Sequence, residues 1–195
     1  MLKRVDIVGN PNVGVFTLAT DDLAIVPYNL LDEKADIIKE TLDVDVVKSS
    51  ISGSSLIGSL AVVNSNGMVV SPHVLDREVK QFEELGINVA TVPGKYTALG
   101  NIIAANDKGA IVSPFLSDEA IHIIEETLDV NVEATSMVGS DIIGSLIQVT
   151  NKGFLISSKA VKSEISFAQE VFGVEGDIGT VGRGIALVGA CSIAN

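Results

Sequence analysis

The chain has 195 residues, 47% of them hydrophobic and 19% charged, so it can build a sizeable core and is neither a disordered tail nor a low-complexity linker. Asp and Glu total 25 against 13 for Lys and Arg, and the net charge of -12 repels nucleic-acid phosphates at long range. Aromatic residues make up 4% and Trp is absent, which disfavours base stacking as the main activity.

The hydropathy and the start of the chain indicate where the protein works. Mean hydropathy is high, at +0.43, yet no apolar run approaches the roughly 20 residues of a bilayer-spanning helix. The many hydrophobic residues are therefore expected in short buried strands. The chain opens Met1-Leu2-Lys3-Arg4 without a long apolar signal segment, and Cys191 is the single cysteine, which fits a reducing compartment. We therefore expect a cytoplasmic protein that contacts no membrane.

Five similar segments follow one another along the chain. One glycine stands at the equivalent position in each segment and is called here the repeat glycine. The repeat glycines are Gly14, Gly58, Gly100, Gly144 and Gly189, at intervals of 44, 42, 44 and 45 residues. Regular spacing of this kind is typical of a repeat architecture. We divide the chain, as a single domain, into repeats at roughly 3–51, 52–94, 95–139, 140–182 and 183–195.

Within a repeat, two short apolar runs flank a polar turn that ends in glycine. This pattern predicts a β-hairpin, because glycine supplies the positive φ of a hairpin turn. The second hairpin strand is predicted at 68–70, 110–112 and 154–156. A final short strand of the repeat is predicted at 44–47, 87–92 and 130–133.

A helix is predicted between the hairpin and the final strand. Apolar residues there recur at spacings of three and four, which places them on one helix face. These faces are formed by Ala35, Ile38 and Leu42, by Val79, Phe82 and Leu85, by Ile121, Ile124 and Leu128, and by Ile165, Ala168 and Phe172. The predicted helix caps are Asp32, Asp76 and Ser117, and the predicted helix ends are Gly86 and Gly173.

The repeat unit is therefore ββαβ, and the fold class is α/β (α+β). A unit of about 43 residues with one helix cannot bury both faces of its small sheet, so neighbouring units must stack or close into a ring, and five units favour a ring with pseudo-fivefold symmetry. The fifth repeat stops at Asn195, where a hairpin turn should begin, so we expect roughly 25 to 30 further residues. We also expect the strand before Gly9 to close the ring against repeat five.

The sequence contains no phosphate-loop, dinucleotide-binding or paired-cysteine pattern, so it points to no nucleotide, metal or other cofactor. His73 and His122 are interpreted as ordinary surface residues. Cys191 stands where other repeats carry a large aliphatic residue, and it is interpreted as a buried thiol on a strand, with a raised pKa. Acidic residues are concentrated in the predicted helices, where they form a solvated outer face or, alternatively, attract a basic partner.

Repeat three departs from the pattern that the other repeats share. Five residues before its repeat glycine it has Lys95, where the other repeats have glycines that we interpret as turns; these are Gly9, Gly53, Gly139 and Gly184. Directly after its repeat glycine it has Asn101, where the others have Val, Ser, Ser and Ala. An amide both donates and accepts hydrogen bonds. We interpret the segment from Lys95 to Asn101 as a site of asymmetric recognition.

Three strings then connect the chain with a known family. They are Ser52-Gly-Ser-Ser-Leu-Ile-Gly-Ser59, Thr97-Ala-Leu-Gly-Asn101 followed by Asn106-Asp107, and Gly179-Thr-Val-Gly-Arg-Gly184. With these strings the chain resembles archaeal and eukaryotic translation initiation factor 6, the anti-association factor of the large ribosomal subunit, over essentially its whole length. The resemblance implies the pentein fold, a five-bladed α/β propeller, acting as a monomer without catalysis.

The resemblance also implies partners. It implies binding to the joining face of the large (50S) subunit, chiefly to the uL14-type ribosomal protein, with marginal contact to rRNA near the sarcin-ricin loop. The small subunit would thereby be excluded, and a role in large-subunit biogenesis would follow. In the family the Leu-Gly-Asn turn lies at this interface, which carries over to Leu99, Gly100 and Asn101. The small-residue turns at Gly14 and Ser59 lie at the same end.

Two alternatives remain open at this stage. Pentein rings also house amidino-group hydrolases, which would require Cys191 to be a reachable nucleophile beside a histidine base. The other alternative is a scaffold ring without a ribosomal role.

Overall fold

Four three-stranded sheets and nine helices make up residues 2–195, the part of the chain that the computed structural model describes. In each sheet an antiparallel hairpin is followed by a third strand that runs parallel to its neighbour. A parallel neighbour requires a crossover connection, which the long helix of the repeat supplies. The predicted ββαβ order is thus confirmed in four repeats.

The strands are β1 (Leu18–Ala19), β2 (Leu23–Pro27), β3 (Asp45–Ser49), β4 (Ala61–Val63), β5 (Met68–Val70), β6 (Val89–Thr91), β7 (Ile103–Ala105), β8 (Gly109–Val112), β9 (Asn131–Ala134), β10 (Ile147–Val149), β11 (Phe154–Ser157) and β12 (Gly176–Gly179). The long helices are α2 (Asp32–Leu42), α4 (Asp76–Glu84), α6 (Asp118–Leu128) and α8 (Lys162–Phe172). Five helices of one turn each are α1 (Val13–Phe16), α3 (Ile57–Leu60), α5 (Leu99–Ile102), α7 (Ile143–Leu146) and α9 (Val188–Cys191). None of the helices within residues 2–195 is long and apolar enough to cross a membrane.

The five one-turn helices, which the sequence analysis did not predict, contact one another in a closed circuit. Helix α1 packs on α3, α3 on α5, α5 on α7, α7 on α9, and α9 returns to α1. The contacts are made at the repeat glycines: a Cβ atom added to Gly100 would lie 1.8 Å from the carbonyl oxygen of Gly58, and one added to Gly14 would lie 1.9 Å from that of Gly189. No side chain fits at these distances, so the regular glycine spacing is a packing requirement.

Each hydrophobic core joins two neighbouring repeats. On β8, Ala110 and Val112 belong to the core under α6, whereas Ile111 between them belongs to the next core, together with Phe154 and Phe172. Successive strand side chains point to opposite faces, so both faces of this sheet are buried. Burial on both faces explains why the middle strands β2, β5 and β8 are apolar throughout, which contributes to the high mean hydropathy.

The hairpins are confirmed, but the reason given for their glycines is wrong. Gly67 and Gly109 do not have positive φ. A Cβ atom on Gly109 would instead lie 2.1 Å from the carbonyl oxygen of Val171 in the helix of the next repeat. These glycines allow the neighbouring helix to approach the hairpin closely.

Asparagine side chains close the hairpin turns and connect the repeats. Asn106 Oδ1 accepts hydrogen bonds from the backbone N–H groups of Lys108 and Gly109, at 3.0 and 3.1 Å. Its Nδ2 donates to the carbonyl oxygens of Thr150 and Phe172, at 3.1 and 2.9 Å. The bond to Phe172 satisfies one of the orphan carbonyls at the end of α8.

Two other repeats have an equivalent hydrogen bond from an asparagine to the end of a neighbouring long helix. Asn64 donates to the carbonyl oxygens of Asn106 and Leu128, at 3.2 and 2.8 Å. Asn195 in repeat five donates to the carbonyl oxygen of Leu42 in repeat one, at 2.9 Å. A hydrogen bond from asparagine to a helix end thus joins repeat five to repeat one, as the equivalent bond joins repeat two to repeat three.

The predicted helix caps were correct at one of three positions. Ser117 is the N-cap of α6, and its Oγ accepts a hydrogen bond from the Ala120 N–H. Asp32 and Asp76 are instead the first helical residues, preceded by Leu31 and Leu75 at the N-cap. A carboxylate in the first turn is still favourable, because it faces the positive end of the helix dipole.

The apolar face predicted for α4 is shorter than expected. Phe82 is fully buried, but Leu85 lies beyond the end of the helix and is 47% exposed. Gly86 then turns the chain with a φ of 82°. Gly173 ends α8 in the left-handed conformation, as predicted.

The strand predicted before Gly9 is not formed. Among the described residues that precede Gly9, Ile7 makes a single bridge, and its partner is the nearby Asn10. Val5 and Ile193 pack against the same core, so side-chain packing adds to the glycine contact and the Asn195 hydrogen bond that join repeats one and five, and no β ladder is formed between the described residues there.

We expect Gly100→Ala to lower the free energy of unfolding by at least about 3 kcal/mol, because its Cβ would displace a backbone oxygen that belongs to the closed circuit. Gly9→Ala is the control: it has positive φ but open space around it, and should cost about 1 to 2 kcal/mol. Urea unfolding of both variants measures the difference, and equal losses would contradict the packing explanation.

We expect Asn106→Thr to lower the free energy of unfolding by about 1 to 3 kcal/mol. Threonine closes the equivalent turn at position 150, where its Oγ1 accepts from the N–H groups of Lys152 and Gly153. The substitution therefore removes only the two bonds to the next repeat. Thr150→Ser is the matched control and should change stability by less than about 0.5 kcal/mol. An Asn106→Thr variant as stable as wild type would show that the inter-repeat bonds contribute nothing net.

Candidate functional site

The residues predicted for binding lie on one end of the closed circuit. We call this end the turn face and define it as the loops 7–12, 51–56, 92–98, 137–142 and 181–187 with the one-turn helices that they enter. The circuit places equivalent segments of the five repeats side by side, so these loops share a face. Lys95 lies in the third loop, and the other predicted residues lie in α1, α3 and α5.

Three of these loops form the same tight turn. Ser52 and Gly53 have φ values of 56° and 70°, and Val138 and Gly139 have 57° and 67°. Val8 and Gly9 repeat the pattern, and each turn is closed by an isolated β-bridge. Two consecutive residues with positive φ define a type I′ turn. The interpretation of Gly9, Gly53 and Gly139 as turn residues is confirmed, and Gly184 lies in a longer turn of the same kind in repeat five.

A buried carboxylate holds the turn in repeat two. Glu78, the third residue of α4, is 3% exposed. Its two oxygens accept hydrogen bonds from the N–H groups of Ser52 and Gly53, at 2.7 and 2.9 Å, from Ser50 Oγ at 2.6 Å and from the Leu75 N–H at 3.0 Å. Burial raises the pKa of Glu78, but these hydrogen bonds outweigh burial and hold the pKa below its usual value.

Repeats one and four hold their turns with related contacts. Glu164, the third residue of α8, accepts hydrogen bonds from the N–H groups of Val138 and Val161. In repeat one the carboxylate comes from the loop itself: Asp6 accepts from the Gly9 N–H and pairs with Lys34, the third residue of α2. Since a β-branched residue at positive φ is strained, as at Val8 and Val138, these contacts are what keep the turns formed.

Repeat three replaces this arrangement. Pro93 stands where Ile7, Ile51 and Met137 donate the N–H of the bridge, and proline has no N–H to donate. The third residue of α6 is Ala120, which offers no carboxylate. Instead the ring of Tyr96 stacks on Phe115, with centroids 5.2 Å apart and planes 15° apart. Lys95 Nζ lies 5.0 Å from the centroid of Tyr96.

Asn101 is the residue of repeat three that the sequence analysis predicts to recognise a partner. It is partly exposed in α5, and its Oδ1 accepts a hydrogen bond from Ser145 Oγ in the next repeat at 3.3 Å. Within residues 2–195 its Nδ2 has no hydrogen-bond partner, which leaves a donor for a binding partner. Lys95 is exposed.

The other predicted site residues serve the packing of the circuit. Gly14 and Gly100 make the close contacts between neighbouring helices. Leu99 is fully buried, and Ser59 is 7% exposed. Neither Leu99 nor Ser59 presents a side chain to a partner, so any contribution of these four residues to binding is through the shape of the backbone.

Cys191 is not on a strand, contrary to the prediction. It is the last residue of α9, half-buried, and its thiol donates to Asn12 Oδ1 at 3.0 Å. Burial raises the pKa of this thiol. His122 is exposed and pairs with Glu126 on α6, and His73 is exposed after Pro72. No group of three or more His, Cys, Asp or Glu residues within the described chain is placed to hold a metal ion.

These features define a class: an α/β repeat protein whose one-turn helices form a closed circuit and whose turn face is asymmetric in one repeat. The chain belongs to the eIF-6 family, whose family model matches residues 2–195. It is 78% identical over 195 residues to translation initiation factor 6 of Methanobrevibacter smithii, an alignment that covers all of this chain and 87% of the relative.

More distant archaeal relatives match along the same length. Translation initiation factor 6 of Pyrococcus abyssi is 40% identical over 200 aligned residues, covering all of this chain and 88% of the relative. The protein of that name from Methanosarcina mazei is 39% identical over 195 residues, with the same coverage. The resemblance found from the three sequence strings is confirmed.

We expect Glu78→Gln to reduce the acid sensitivity of the fold. A carboxylate whose pKa is lowered by folding stabilises fully above its unfolded-state pKa, near 4.5, and this contribution is lost as the pH falls through the lower, folded-state value. Wild type should therefore lose more stability between pH 7 and pH 3.5 than the variant does. Urea unfolding at both pH values tests this, with the exposed Glu83→Gln on the same helix as control. A Glu78→Gln profile parallel to wild type would rule out the role assigned to Glu78.

Proposed function

We propose that this protein is a translation initiation factor that binds the large ribosomal subunit and prevents its premature association with the small subunit. Membership of the eIF-6 family along the described chain carries the proposal, because relatives that match this chain from end to end are named translation initiation factor 6. A protein seated on the joining face excludes the other subunit by its bulk, so the proposed mechanism requires no nucleotide or metal. Occupancy of newly made subunits would give the protein a part in their biogenesis.

The five-bladed pentein propeller belongs to the same proposal. The closed circuit of five one-turn helices supports it, as do the four sheets of identical topology. In this arrangement each sheet with its long helix is one blade, and the repeat glycines surround the central axis. The turn face is then one end of the propeller, a broad surface suited to docking against a flat partner.

We place the ribosomal contact on the turn face, with repeat three at its centre. Repeat three is where the shared turn is replaced and where Asn101 has a free donor. The net charge of -12 favours a basic protein over rRNA as the main partner. The uL14-type ribosomal protein is therefore the proposed principal partner, with rRNA near the sarcin-ricin loop contacted only marginally.

We propose no catalytic role. A nucleophilic cysteine needs a lowered pKa and a histidine base, whereas burial raises the pKa of Cys191 and its thiol donates to the amide oxygen of Asn12. These contacts do not favour a hydrolase. Sedimentation with large subunits distinguishes the proposed function from a scaffold without a ribosomal role.

We expect Asn101→Ser to weaken binding to large subunits about 5- to 150-fold, which corresponds to the loss of one or two interfacial hydrogen bonds. The fold should survive, because equivalent positions in repeats two and four carry serine. Sedimentation with large subunits purified from Methanobrevibacter smithii measures affinity, gradient profiles measure subunit joining, and thermal melting controls for folding.

The double variant Asn101→Ser, Ser145→Asn is the matched control, since it moves the amide to the next repeat without changing composition. It should bind as weakly as the single variant. Failure of the wild-type protein to sediment with large subunits would overturn the proposed function. Wild-type affinity in Asn101→Ser would place the contact outside repeat three, and a large fall in its melting temperature would make Asn101 a structural residue.

A further inference from the structure

We propose that Lys95, Tyr96 and Phe115, called here the aromatic stack, form a docking surface for an arginine side chain on a basic protein segment. The inference rests on the proposed function in one respect: it refines what kind of protein the turn face of repeat three receives.

The stack is unique to repeat three among the repeats of the described chain. Tyr96 occupies the position of Asn10, Ser54 and Ser140, which close the bridged turns. Phe115 occupies the position two residues before the N-cap of the long helix, where the other repeats have Asn29, His73 and Lys159. In a chain with two Tyr, six Phe and no Trp, two aromatic rings meet where equivalent repeats have none.

The stack substitutes for the carboxylate contact of the other repeats, and it does more than hold the loop. Repeat three lacks the acidic residue of the helix, and its loop lacks the two consecutive positive φ values of the other turns. Tyr96 packs against the core and so anchors the loop. Phe115, however, is 52% exposed. About half of the surface of this residue is therefore accessible to a binding partner.

The faces of an aromatic ring carry partial negative charge. A cation is already attracted there, since Lys95 Nζ lies 5.0 Å from the centroid of Tyr96. The planar guanidinium group of arginine stacks on such a ring more favourably than the ammonium group of lysine, because it is flat and more weakly hydrated. The exposed part of Phe115 is available for a second cation of this kind.

The surrounding charge favours arginine over a nucleobase. Asp118 and Glu119, exposed residues of the first turn of α6, follow Phe115 by three and four positions. Lys95 and the amino-terminal end of α6 are the positive groups beside the stack. A nucleobase could also stack on Phe115, but its phosphates would be repelled by the net charge of -12. A guanidinium group is attracted both by the ring and by the net negative charge of the protein.

The test compares hexa-arginine with hexa-lysine, two peptides of equal charge, by isothermal titration calorimetry at low salt. An acidic protein attracts both peptides, so the readout is the ratio of the two affinities. We expect wild type to bind hexa-arginine about three- to fivefold more tightly than hexa-lysine. Phe115→Leu keeps an apolar side chain and removes the ring, so it should abolish this preference and leave hexa-lysine affinity unchanged.

Tyr28→Leu is the matched control, because Tyr28 is a 61% exposed aromatic residue outside the stack. This variant should keep the arginine preference, and melting curves should show both variants folded. Equal affinities of wild type for the two peptides would overturn the inference. So would binding of a decauridine RNA that is lost in Phe115→Leu, since the ring would then be a base-stacking surface.

The inference and the proposed function can fail separately. If wild type prefers hexa-arginine but does not sediment with large subunits, the proposed function is wrong, and the inference that the stack binds an arginine side chain is still supported. If wild type binds subunits and Phe115→Leu binds them equally well with an unchanged peptide ratio, the inference alone is wrong.

Discussion

The backbones of five one-turn helices approach one another more closely than any side chain would allow. At each repeat glycine the Cα lies against the carbonyl oxygen of the glycine in the neighbouring repeat, and the circuit returns from Gly189 to Gly14. This contact fixes how closely neighbouring repeats approach each other. The loops of the turn face directly precede these helices, so their arrangement depends on the glycine circuit.

The same constraint explains where sequence variation is tolerated. The repeat glycine cannot change, but the residue after it is Val15, Ser59, Asn101, Ser145 or Ala190. Variation at this neighbouring position makes one repeat chemically different without disturbing the circuit. In repeat three the change extends into the preceding loop, where an aromatic stack replaces the carboxylate contact seen at Glu78.

Much of the architecture was predictable because it is periodic. Repeated glycine spacing, paired apolar runs and helical spacing predicted the hairpins, the long helices and the third strands, although not that the third strands run parallel to their neighbours. The one-turn helices were missed because a segment such as Val13–Phe16 is apolar and four residues long, which suits the start of a strand equally well. The caps at Asp32 and Asp76 were misplaced by one residue, since an acidic residue is favourable both at the N-cap and in the first turn.

The candidate site was predictable only where one repeat could be compared with the others. Asn101 and Lys95 were found in this way, as departures from a common pattern. Glu78 was missed because its partners lie 25 to 28 residues earlier in the chain and are mostly backbone N–H groups, which leave no trace in residue type. Phe115 was missed because its stacking partner, Tyr96, lies in a different loop and only the folded chain brings the two rings together.

The cores that straddle neighbouring repeats have a consequence for synthesis on the ribosome. Ile25 of repeat one is buried beside Phe82 of repeat two, and Ile111 of repeat three beside Phe172 of repeat four. A repeat that has just emerged therefore keeps one sheet face uncovered until the next helix is made. The uncovered face moves along the growing chain, and the contact between Gly14 and Gly189 forms only after every intervening repeat has been translated. Throughout synthesis the nascent chain therefore exposes an apolar sheet face of the kind that promotes aggregation.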